Sequence, residues 1–492
     1  MVLEVTDTTL KWTYTSRHGG QYNRIPFVRA EGSVKASRQG SVCADLYPLR
    51  HPCAVAMSSR SDKRTYLDPI HQDIVLDRKK PAEKLIIDLI DTEEFQRLRR
   101  IHQLGVSYFT FQGAEGSRFT HSVGVMHVAN SLVDHLTEQT DGMEELRPLI
   151  LASALLHDIG HGPFSHVTEK ILGYDHEDWS CKIIAGDTQV RRVLDNFKPI
   201  PNLAETIVKV LKKTYTPHYV SHMVSSQLDC DRFDYLLRDS YMTGTKYGLF
   251  ALHRILRSLE IDQENDRIIV VGEKGQIAVE DYLFARYSMY AQVYYHRKNL
   301  AARALLASLI KRVKTILNDS TRPVCFVDEA TMKWVSGDEL KVSDYLQLDD
   351  IQLNYHIKRW AEDPDPVLSD LSKRFLHRRL FKAIRIPSRE SGLVKDIEKE
   401  ARRLLEEKSL DPEYYLGIES TGFRPYDYYR PDDDHPQTNI IVKTDGGITS
   451  ELSKIAPAIE ALVKGNYEST WLVFPDEIQD KLAVIRELIP AY

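Results

Sequence analysis

The stretch that decides the fold is Leu155-Leu156-His157-Asp158-Ile159-Gly160-His161-Gly162-Pro163-Phe164-Ser165-His166. It closes an apolar run that begins at Leu149 and has the composition of a buried helix. Gly160, Gly162 and Pro163 cannot comfortably continue a helix, so we expect it to end near the His-Asp doublet. Three imidazoles and a carboxylate then lie where the buried helix turns. Neutral imidazole and carboxylate together predict a divalent-metal site.

The composition of the chain is typical of a globular protein. It has 492 residues, of which 42% are apolar and 28% are charged, and its formal net charge is −6. A mildly acidic total argues against a protein that mainly coats nucleic acid, although local basic patches could still contact it. No apolar run approaches the roughly 20 residues that cross a membrane, and the first residues do not resemble a signal peptide. The five cysteines form no CxxC pair, so we expect reduced thiols and a cytoplasmic location.

The sequence pattern predicts three regions. Residues 1–64 mix Ser, Gly, Arg and isolated aromatics, which predicts a flexible or loosely folded N-terminal extension, and we hypothesise that Met57 is the true start. Residues 65–375 predict a mainly α domain, including a long helix over residues 281–309 and a small β-hairpin of Arg267–Val271 with residues 276–279. Residues 376–492 alternate short strands, such as 383–386, 439–442 and 471–474, with charged helices. This alternation predicts a C-terminal α+β domain.

Three segments could supply ligands to one ion. They contain His121, the doublet His157-Asp158, and one of the carboxylates Asp229, Asp231 and Asp234. Neighbouring residues on a helix diverge by about 100°, so the doublet converges on one ion only if the helix ends there. The mixed nitrogen and oxygen set suits Fe, Mn, Co, Ni or Zn, and Mg less naturally. Such an ion would activate water and neutralise charge on a phosphoryl group.

Simpler explanations stay open for some of these residues. A lone histidine such as His121 is more often a surface or satisfied core residue than a ligand. The carboxylates of residues 229–239 could form a solvated helix face. The doublet differs, because burying its ionised carboxylate without a partner would be costly. Nearby in sequence, His161, His166 and His176 are of the right type for general acid or base catalysis near neutral pH.

The ordered set His121, His157-Asp158 and Asp231 resembles the H…HD…D signature of the HD-domain metal-dependent phosphohydrolases, an all-helical superfamily. Further motifs resemble its deoxynucleoside triphosphate triphosphohydrolase branch. They are Asp68-Pro69-Ile70-His71, Gln103-Leu104-Gly105, Arg118-Phe119-Thr120-His121, the deciding stretch, and Asp231-Arg232-Phe233-Asp234-Tyr235. The likeness covers residues 66 to about 300, and nothing before residue 66 resembles the SAM domain of some members. One doublet is a weak signal, but this ordered set is a specific one.

The resemblance implies a role for each matching position. It implies metal ligation by His121, His157, Asp158 and Asp231. It implies that His166 is the acid for the leaving 5′ oxygen, supported by His161, Glu169 and His176, although the family has Asp where this chain has Glu169. The implied substrate-binding positions are Gln103, Leu104, Arg118, Arg232, Tyr235, Asp239, Arg286 and Tyr294. The positions that match an activating guanine-nucleotide site are Asp91, Gln96 and Arg99.

The function implied by this resemblance is the metal-dependent hydrolysis of a dNTP to a deoxynucleoside and inorganic triphosphate. Activation by GTP or dGTP and a homo-oligomer, dimer or tetramer, are implied with it. One alternative is an HD phosphohydrolase that acts on a nucleoside monophosphate, a cyclic nucleotide or a nucleic-acid end. Another is a non-catalytic nucleotide-sensing regulator, which we would expect to lack a ligand or the acid, and none is missing. Tyr290 and Tyr295 replace a His and a Gln of the family, so the preferred base stays open.

Overall fold

The computed structural model describes residues 2–6, 9–13, 62–321, 325–386, 392–426, 439–465 and 467–481. Residues 1–60 and 61–492 are two compact units. In the first unit, strands β1 (Val2–Thr6) and β2 (Thr9–Thr13) form an antiparallel hairpin that the sequence pattern did not predict. Most of the predicted N-terminal extension, including Met57, lies outside the described residues. The division of the chain at residues 64 and 375 stays a prediction.

The second unit starts with a hairpin and continues as a series of helices. The hairpin consists of β3 (Lys63–Asp68) and β4 (Gln72–Asp77), and Asp68 caps its turn by accepting hydrogen bonds from the backbone N–H groups of Ile70 and His71. The helices that follow are α1 (Pro81–Ile90), α2 (Glu93–Arg97), α3 (Arg118–Thr137), α4 (Met143–Leu156), α5 (His166–Leu172), α6 (His176–Ala185), α7 (Gln189–Asp195), α8 (Leu203–Leu211), α9 (His218–Val224), α10 (Cys230–Met242) and α11 (Leu252–Leu256).

The middle of the chain adds two strands and longer helices. The elements are β5 (Leu259–Asp262), β6 (Arg267–Val271), α12 (Glu273–Met289), a π-helical turn (Tyr290–Tyr294), α13 (Arg297–Leu317), α14 (Glu329–Ser336), α15 (Val342–Tyr345), α16 (Asp350–Trp360) and α17 (Pro366–Leu376). The remaining elements are β7 (Lys382–Ile386), α18 (Gly392–Glu406), α19 (Pro412–Tyr415), β8 (Gly417–Phe423), β9 (Ile441–Lys443), β10 (Thr449–Glu451), α20 (Leu452–Ile455), α21 (Pro457–Lys464) and β11 (Tyr467–Phe474). The fold is mainly α with small sheets, as predicted.

Two details of the predicted secondary structure are wrong. Strand β6 pairs with β5 and not with residues 276–279, which lie in α12. A short apolar run fits a strand or a helix equally well, and buried Val279 and Leu283 show the helical spacing of this one. The predicted long helix over residues 281–309 is also interrupted, because the π-helical turn is followed by a new start at which the side chain of His296 accepts a hydrogen bond from the backbone N–H of Lys298.

The predicted C-terminal strands form part of two sheets. Strands β7, β11 and β8 make an antiparallel sheet in that order. Strand β9 pairs in parallel with β6, so the second sheet, in the order β10-β9-β6-β5, joins the C-terminal strands to the helical region. Residues 61–492 are accordingly one compact unit in their contacts.

Helix α4 lies in the core and delivers the doublet. All of its residues from Leu149 to Leu156 are buried, and the helix packs against α1 and α3, while α3 also packs against α10. The helix ends at Leu156, where Ser180 of α6 donates a hydrogen bond to the carbonyl of His157 and accepts one from the N–H of Gly160. A Cβ atom at Gly160 would lie 2.2 Å from the backbone of α6, so this close approach requires glycine. Among the described helices, none is long and apolar enough to cross a membrane.

Candidate active site

Three elements bring together the four residues that were expected to hold a metal. Helix α3 supplies His121, the turn after α4 supplies His157 and Asp158, and the first turn of α10 supplies Asp231. His121 Nε2 lies 3.0 Å from Asp231 Oδ1 and 3.5 Å from Asp158 Oδ2. His157 Nε2 lies 3.5 Å from the same Asp231 oxygen and 3.3 Å from Asp158 Oδ1. Two ring nitrogens and two carboxylates therefore face one point.

The hydrogen bonds of the two imidazoles fit a metal ion at this point. His121 Nδ1 donates to Asp234 Oδ2 over 2.8 Å, and His157 Nδ1 donates to the carbonyl of Ala154 over 2.8 Å. A ring that donates from Nδ1 keeps its lone pair on Nε2, which is the arrangement of a metal-bound histidine. Both Nε2 atoms are buried and have no hydrogen-bond partner in the described part of the chain. A divalent cation would satisfy them.

The structure distinguishes the three carboxylates that residue spacing alone left open. Asp229 caps the N-terminus of α10 and accepts hydrogen bonds from the backbone N–H groups of Ser226 and Arg232. Asp234 lies behind His121 and is fully buried. Of the three, Asp231 is the one whose carboxylate faces the Nε2 atoms of the imidazoles. The solvated helix face is thus not the arrangement found.

A buried polar network holds His121 in place. Asp234 accepts hydrogen bonds from His121, from His71 Nε2 over 2.7 Å, and from the guanidinium of Arg238 over 2.8 Å. The positive charge of Arg238 lowers the pKa of Asp234 well below its usual value despite burial, which by itself raises it. A Cβ atom at Gly124 would lie 2.0 Å from Asp234 Oδ1, so there is no space for a side chain at this position of α3. This ionised carboxylate fixes the ring orientation of His121.

A second group next to the metal ligands contains the expected acid residues. The carboxylate of Glu169 accepts hydrogen bonds from both His166 Nδ1 and His176 Nδ1, each over 2.8 Å. Burial by itself raises the pKa of Glu169, but these two bonds bring it below its usual value, so the carboxylate stays ionised. The rings of His161 and His176 stack 4.0 Å apart, and His161 Nε2 lies 3.4 Å from Asp158 Oδ1. Burial and nearby Arg118 lower the pKa of His161.

A cavity of about 450 Å³ opens beside both groups. The eight expected substrate-binding residues all line it: Gln103, Leu104, Arg118, Arg232, Tyr235, Asp239, Arg286 and Tyr294. The metal-facing carboxylates Asp158 and Asp231 and the acid candidates His166 and His176 line it as well. Its cationic side chains are Arg118, Lys170, Arg232, Arg286 and Arg303. The arrangement can therefore hold a polyanion with one phosphoryl group next to the metal ligands.

The turn that presents His166 is strained and is fastened to two distant segments. Phe164 and Ser165 both adopt left-handed backbone conformations, with φ of 54° and 53°. The N–H of Phe164 donates to Asp350 Oδ1 over 2.6 Å, and Ser165 Oγ accepts from Arg118 Nε over 3.0 Å. Strain of this kind persists only where the surroundings fix it. The contacts place His166 at the start of α5 with its side chain 58% exposed to the cavity and solvent.

Comparison with known proteins decides the family. Residues 118–239 match the family model of the HD domain, and residues 250–409 match that of the HD associated region. The YwfO protein of Bacillus subtilis is 38% identical over 85% of this chain and 93% of its own length. The chain belongs to the HD-domain family.

Two further relatives carry a biochemical description. The Dictyostelium discoideum homologue of the deoxynucleoside triphosphate triphosphohydrolase SAMHD1 is 30% identical over 54% of this chain and 52% of its own length. The crystal structure of a phosphohydrolase from Bacteroides thetaiotaomicron has a TM-score of 0.72 and 27% identity, covering 84% of this chain and 99% of that one. This HD-domain protein is a phosphohydrolase with a divalent-metal centre, and the identity of its metal is open.

The residues expected to bind an activating nucleotide lie in and on either side of α2, with Asp91 before the helix and Arg99 in the 3-10 turn that follows it. Both carboxylate oxygens of Asp91 accept a hydrogen bond from Arg64 Nη1, each over 2.6 Å. Gln96 donates to the carbonyl of Ile90, and Arg99 donates to the side chain of Gln96. None of these three residues lines the cavity beside the HD centre. Their role in activation stays a prediction.

Several residues of the HD site carried no signal in the sequence. Asp350 of α16 holds the turn at Phe164, yet it lies far along the chain from the doublet. Gln227 hydrogen-bonds two arginines of the cavity, and Lys170 and Arg303 line it, without belonging to a recognisable motif. Asp234 could be named only as one of three candidate ligands, because sequence spacing does not show which side of an imidazole a carboxylate faces.

Proposed function

We propose that the protein is a dNTP triphosphohydrolase that converts a dNTP and water to a deoxynucleoside and inorganic triphosphate. The observation that carries this proposal is that one cavity is lined by Asp158 and Asp231 of the expected metal ligands, by five cationic side chains and by the residues expected to contact a deoxyribose. Similarity to the Dictyostelium SAMHD1 homologue supports the same substrate class. In this reaction water attacks the α-phosphorus, the bond to the 5′ oxygen breaks, and that oxygen takes up a proton.

The cations of the cavity suit a triphosphate. Planar guanidinium groups form charge-assisted and often bidentate hydrogen bonds to phosphate oxygens. Arg118 also donates to Asp158 over 2.6 Å and to the carbonyl of Gln103 over 3.2 Å, so it links the metal ligands to the loop expected to contact the sugar. Burial raises the pKa of Asp239 to about 7, so this carboxyl is partly protonated near neutral pH and repels a polyanion less. Positioning and electrostatic stabilisation would supply most of the rate enhancement.

The proton for the leaving 5′ oxygen would come from His166. Its Nδ1 is engaged by Glu169, so Nε2 is the atom left to face the cavity. The same carboxylate holds His176, and the ionised Glu169 stabilises the protonated form of either ring. A divalent ion in the centre supplies positive charge to the phosphoryl group and acidity to water. His161, stacked on His176 beside Asp158, supports the packing between the two groups.

A direct assay tests this proposal. The purified protein is incubated with Mn²⁺ or Mg²⁺ and each dNTP in turn, and the products are separated by chromatography. Deoxynucleoside together with inorganic triphosphate is the expected result. Monophosphate with pyrophosphate, or turnover of another phosphate ester but of no dNTP, would refute the substrate assignment while leaving the HD metal centre intact.

We also propose activation by GTP or dGTP and assembly into a homo-oligomer. A separate cavity of about 470 Å³, which none of Asp91, Gln96 and Arg99 lines, suits a further anionic ligand because its side chains include Arg297, Lys298, Arg378, Arg379 and Lys382. The assay is therefore run with and without each guanine nucleotide, and light scattering of the eluted protein gives its mass in both conditions. Loss of activation in Asp91→Ala and Arg99→Ala variants would support the site at α2.

Because the proposed substrates are dissolved nucleotides, we propose a cytoplasmic location for the activity. Cell fractionation tests this location.

A further inference from the structure

One buried amide connects two of the cavity's cations. Gln227 Oε1 accepts hydrogen bonds from Arg232 Nη1 over 3.0 Å and from Arg286 Nη1 over 3.1 Å. The side chain lies in the loop before α10 and Gln227 is 4% exposed. Its backbone carbonyl accepts a further hydrogen bond, 2.8 Å long, from the hydroxyl of Tyr282 on α12. The loop is thus fastened to α12 at Tyr282 and again one helical turn later at Arg286.

The shared acceptor brings two like charges together. With both Nη1 atoms bound to one oxygen, they lie no more than about 6 Å apart. Two guanidinium groups at this distance repel each other, and the repulsion is weak only in a well-solvated or compensated setting. Arg232 has partial compensation from Asp229, whose Oδ2 lies 3.4 Å from its Nε. In the described part of the chain, the other acceptor of Arg286 is the neutral carbonyl of Pro425, 2.7 Å from Nη1, and the buried Nε has no partner.

The neutrality of the amide is the informative feature. A carboxylate at position 227 would hold both guanidinium groups more strongly, but it would cancel one of their charges. An apolar side chain would leave both charges but would not fix their positions. The amide fixes the positions and leaves both charges for a ligand. This combination suits a ligand with more than one phosphoryl group.

We propose that Gln227 is a positioning residue that holds Arg232 and Arg286 as a pair and thereby gives the cavity its preference for triphosphate over a single phosphate. It acts through the two arginines and touches no reacting atom. The identity of the ligand rests on the proposed function above. The pairing itself rests on the two hydrogen bonds and on the burial of the amide.

The test measures binding without turnover. The dissociation constants of inorganic triphosphate and inorganic phosphate are determined by calorimetry at a fixed free Mn²⁺ concentration. Gln227→Met, which keeps the volume but loses the acceptor, should weaken triphosphate binding about tenfold, the effect of losing hydrogen bonds to charged groups. Phosphate binding should change by no more than about threefold, since one phosphate needs only one guanidinium. Gln227→Glu keeps both hydrogen bonds and the fold, yet it should also lower the ratio of the two affinities because it removes net charge.

The ratio separates positioning from a general structural defect. A structural loss would weaken both anions equally or lower the unfolding temperature, which is recorded for each variant. The matched control is Gln352→Met, because this amide donates to Asp328 on another part of the fold and lines neither cavity. It should leave the ratio unchanged. In a dNTP assay the Gln227 variants should raise KM more than they lower kcat.

The outcomes for the two proposals can be told apart. A wild-type protein that binds triphosphate no better than phosphate would refute the proposed substrate class. A wild-type preference for triphosphate that survives unchanged in both Gln227→Met and Gln227→Glu would overturn the role of Gln227 and leave the proposed function standing.

Discussion

Asp234 and His121 form the contact on which the metal centre depends, because Asp234 Oδ2 lies 2.8 Å from His121 Nδ1 on the side of the ring away from the other ligands. The carboxylate fixes the tautomer that leaves Nε2 free. In Asp234→Asn we expect metal affinity to fall by about 10–100-fold, as is usual for the loss of such a partner. Chelator competition measures this affinity, and unfolding of the metal-free protein separates it from the loss of the Arg238 ion pair. Unchanged affinity would show that His121 is not a ligand in this orientation.

His157 tests the metal centre more directly. His157→Ala removes one of the two imidazole nitrogens that face the metal position without a hydrogen-bond partner, so the ion should be lost and phosphohydrolase activity should fall to background. Elemental analysis of the purified protein gives the metal content. His253→Ala, at an exposed position of α11, is the matched control and should keep both metal and activity. An active, metal-loaded His157→Ala protein would refute the assignment of His157 as a metal ligand.

Glu169 should matter for chemistry and not for metal binding. It bridges His166 and His176, and neither bond involves a metal ligand. In Glu169→Gln we expect kcat to fall on the order of 100-fold, the usual contribution of acid–base catalysis, with the metal retained. Glu169→Asp should keep more of the activity, since it keeps the charge. Glu177→Gln, at an exposed position of α6, is the control, and equal losses in the Gln and Asp variants at position 169 would contradict a role for the charge.

The C-terminal strands should contribute to substrate binding. Phe423, the last residue of β8, stacks on Tyr290 of the cavity wall with ring centroids 4.4 Å apart and an angle of 14° between the rings. Removal of such a pair costs about 0.5–1.5 kcal/mol, so Phe423→Ala should raise KM for the nucleotide a few-fold. The metal content should not change. The control is Phe326→Ala, which removes a partly exposed ring that does not line the cavity. An unaltered KM in Phe423→Ala would contradict the idea that Phe423 supports the cavity wall.

Asp239 should make stability depend on pH. Burial raises its pKa to about 7, although the hydroxyl of Tyr294 at 2.9 Å lowers it. In the unfolded chain the carboxyl ionises near about pH 3.9, so between that pH and about 7 only the unfolded state has lost the proton. The contribution of Asp239 to the free energy of unfolding is therefore fully present below about pH 4 and is lost as the pH rises through 7. Urea unfolding should show wild type losing stability relative to Asp239→Asn over this range, whereas parallel curves would rule the effect out.

The local sequence was sufficient to predict an element where its apolar pattern and its turn-forming residues indicate the same boundary. The apolar run before His157 predicts a buried helix, and Gly160 with Pro163 predicts its end, so the doublet had to face inward at a turn. The strand predicted over residues 383–386 is found as β7. The predicted hairpin of Arg267–Val271 with residues 276–279 was wrong, because a four-residue, mostly apolar run does not by itself distinguish a strand from a helix.

The sequence by itself determined the kind of site. The buried helix, the His-Asp doublet at its end, the imidazoles and the arginines all lie in short segments that can be recognised without knowledge of the fold. Residue spacing left three carboxylates open and the family resemblance implied Asp231, but only the tertiary structure shows where each of the three side chains points. Asp229, Asp231 and Asp234 lie within six residues, yet helical rotation and packing against α3 turn one to a cap, one to the Nε2 atoms and one to the back of His121. It also decided the contacts of Gln227 and Asp350, since contacts between residues distant in the chain follow from packing and leave no periodic signal in the sequence.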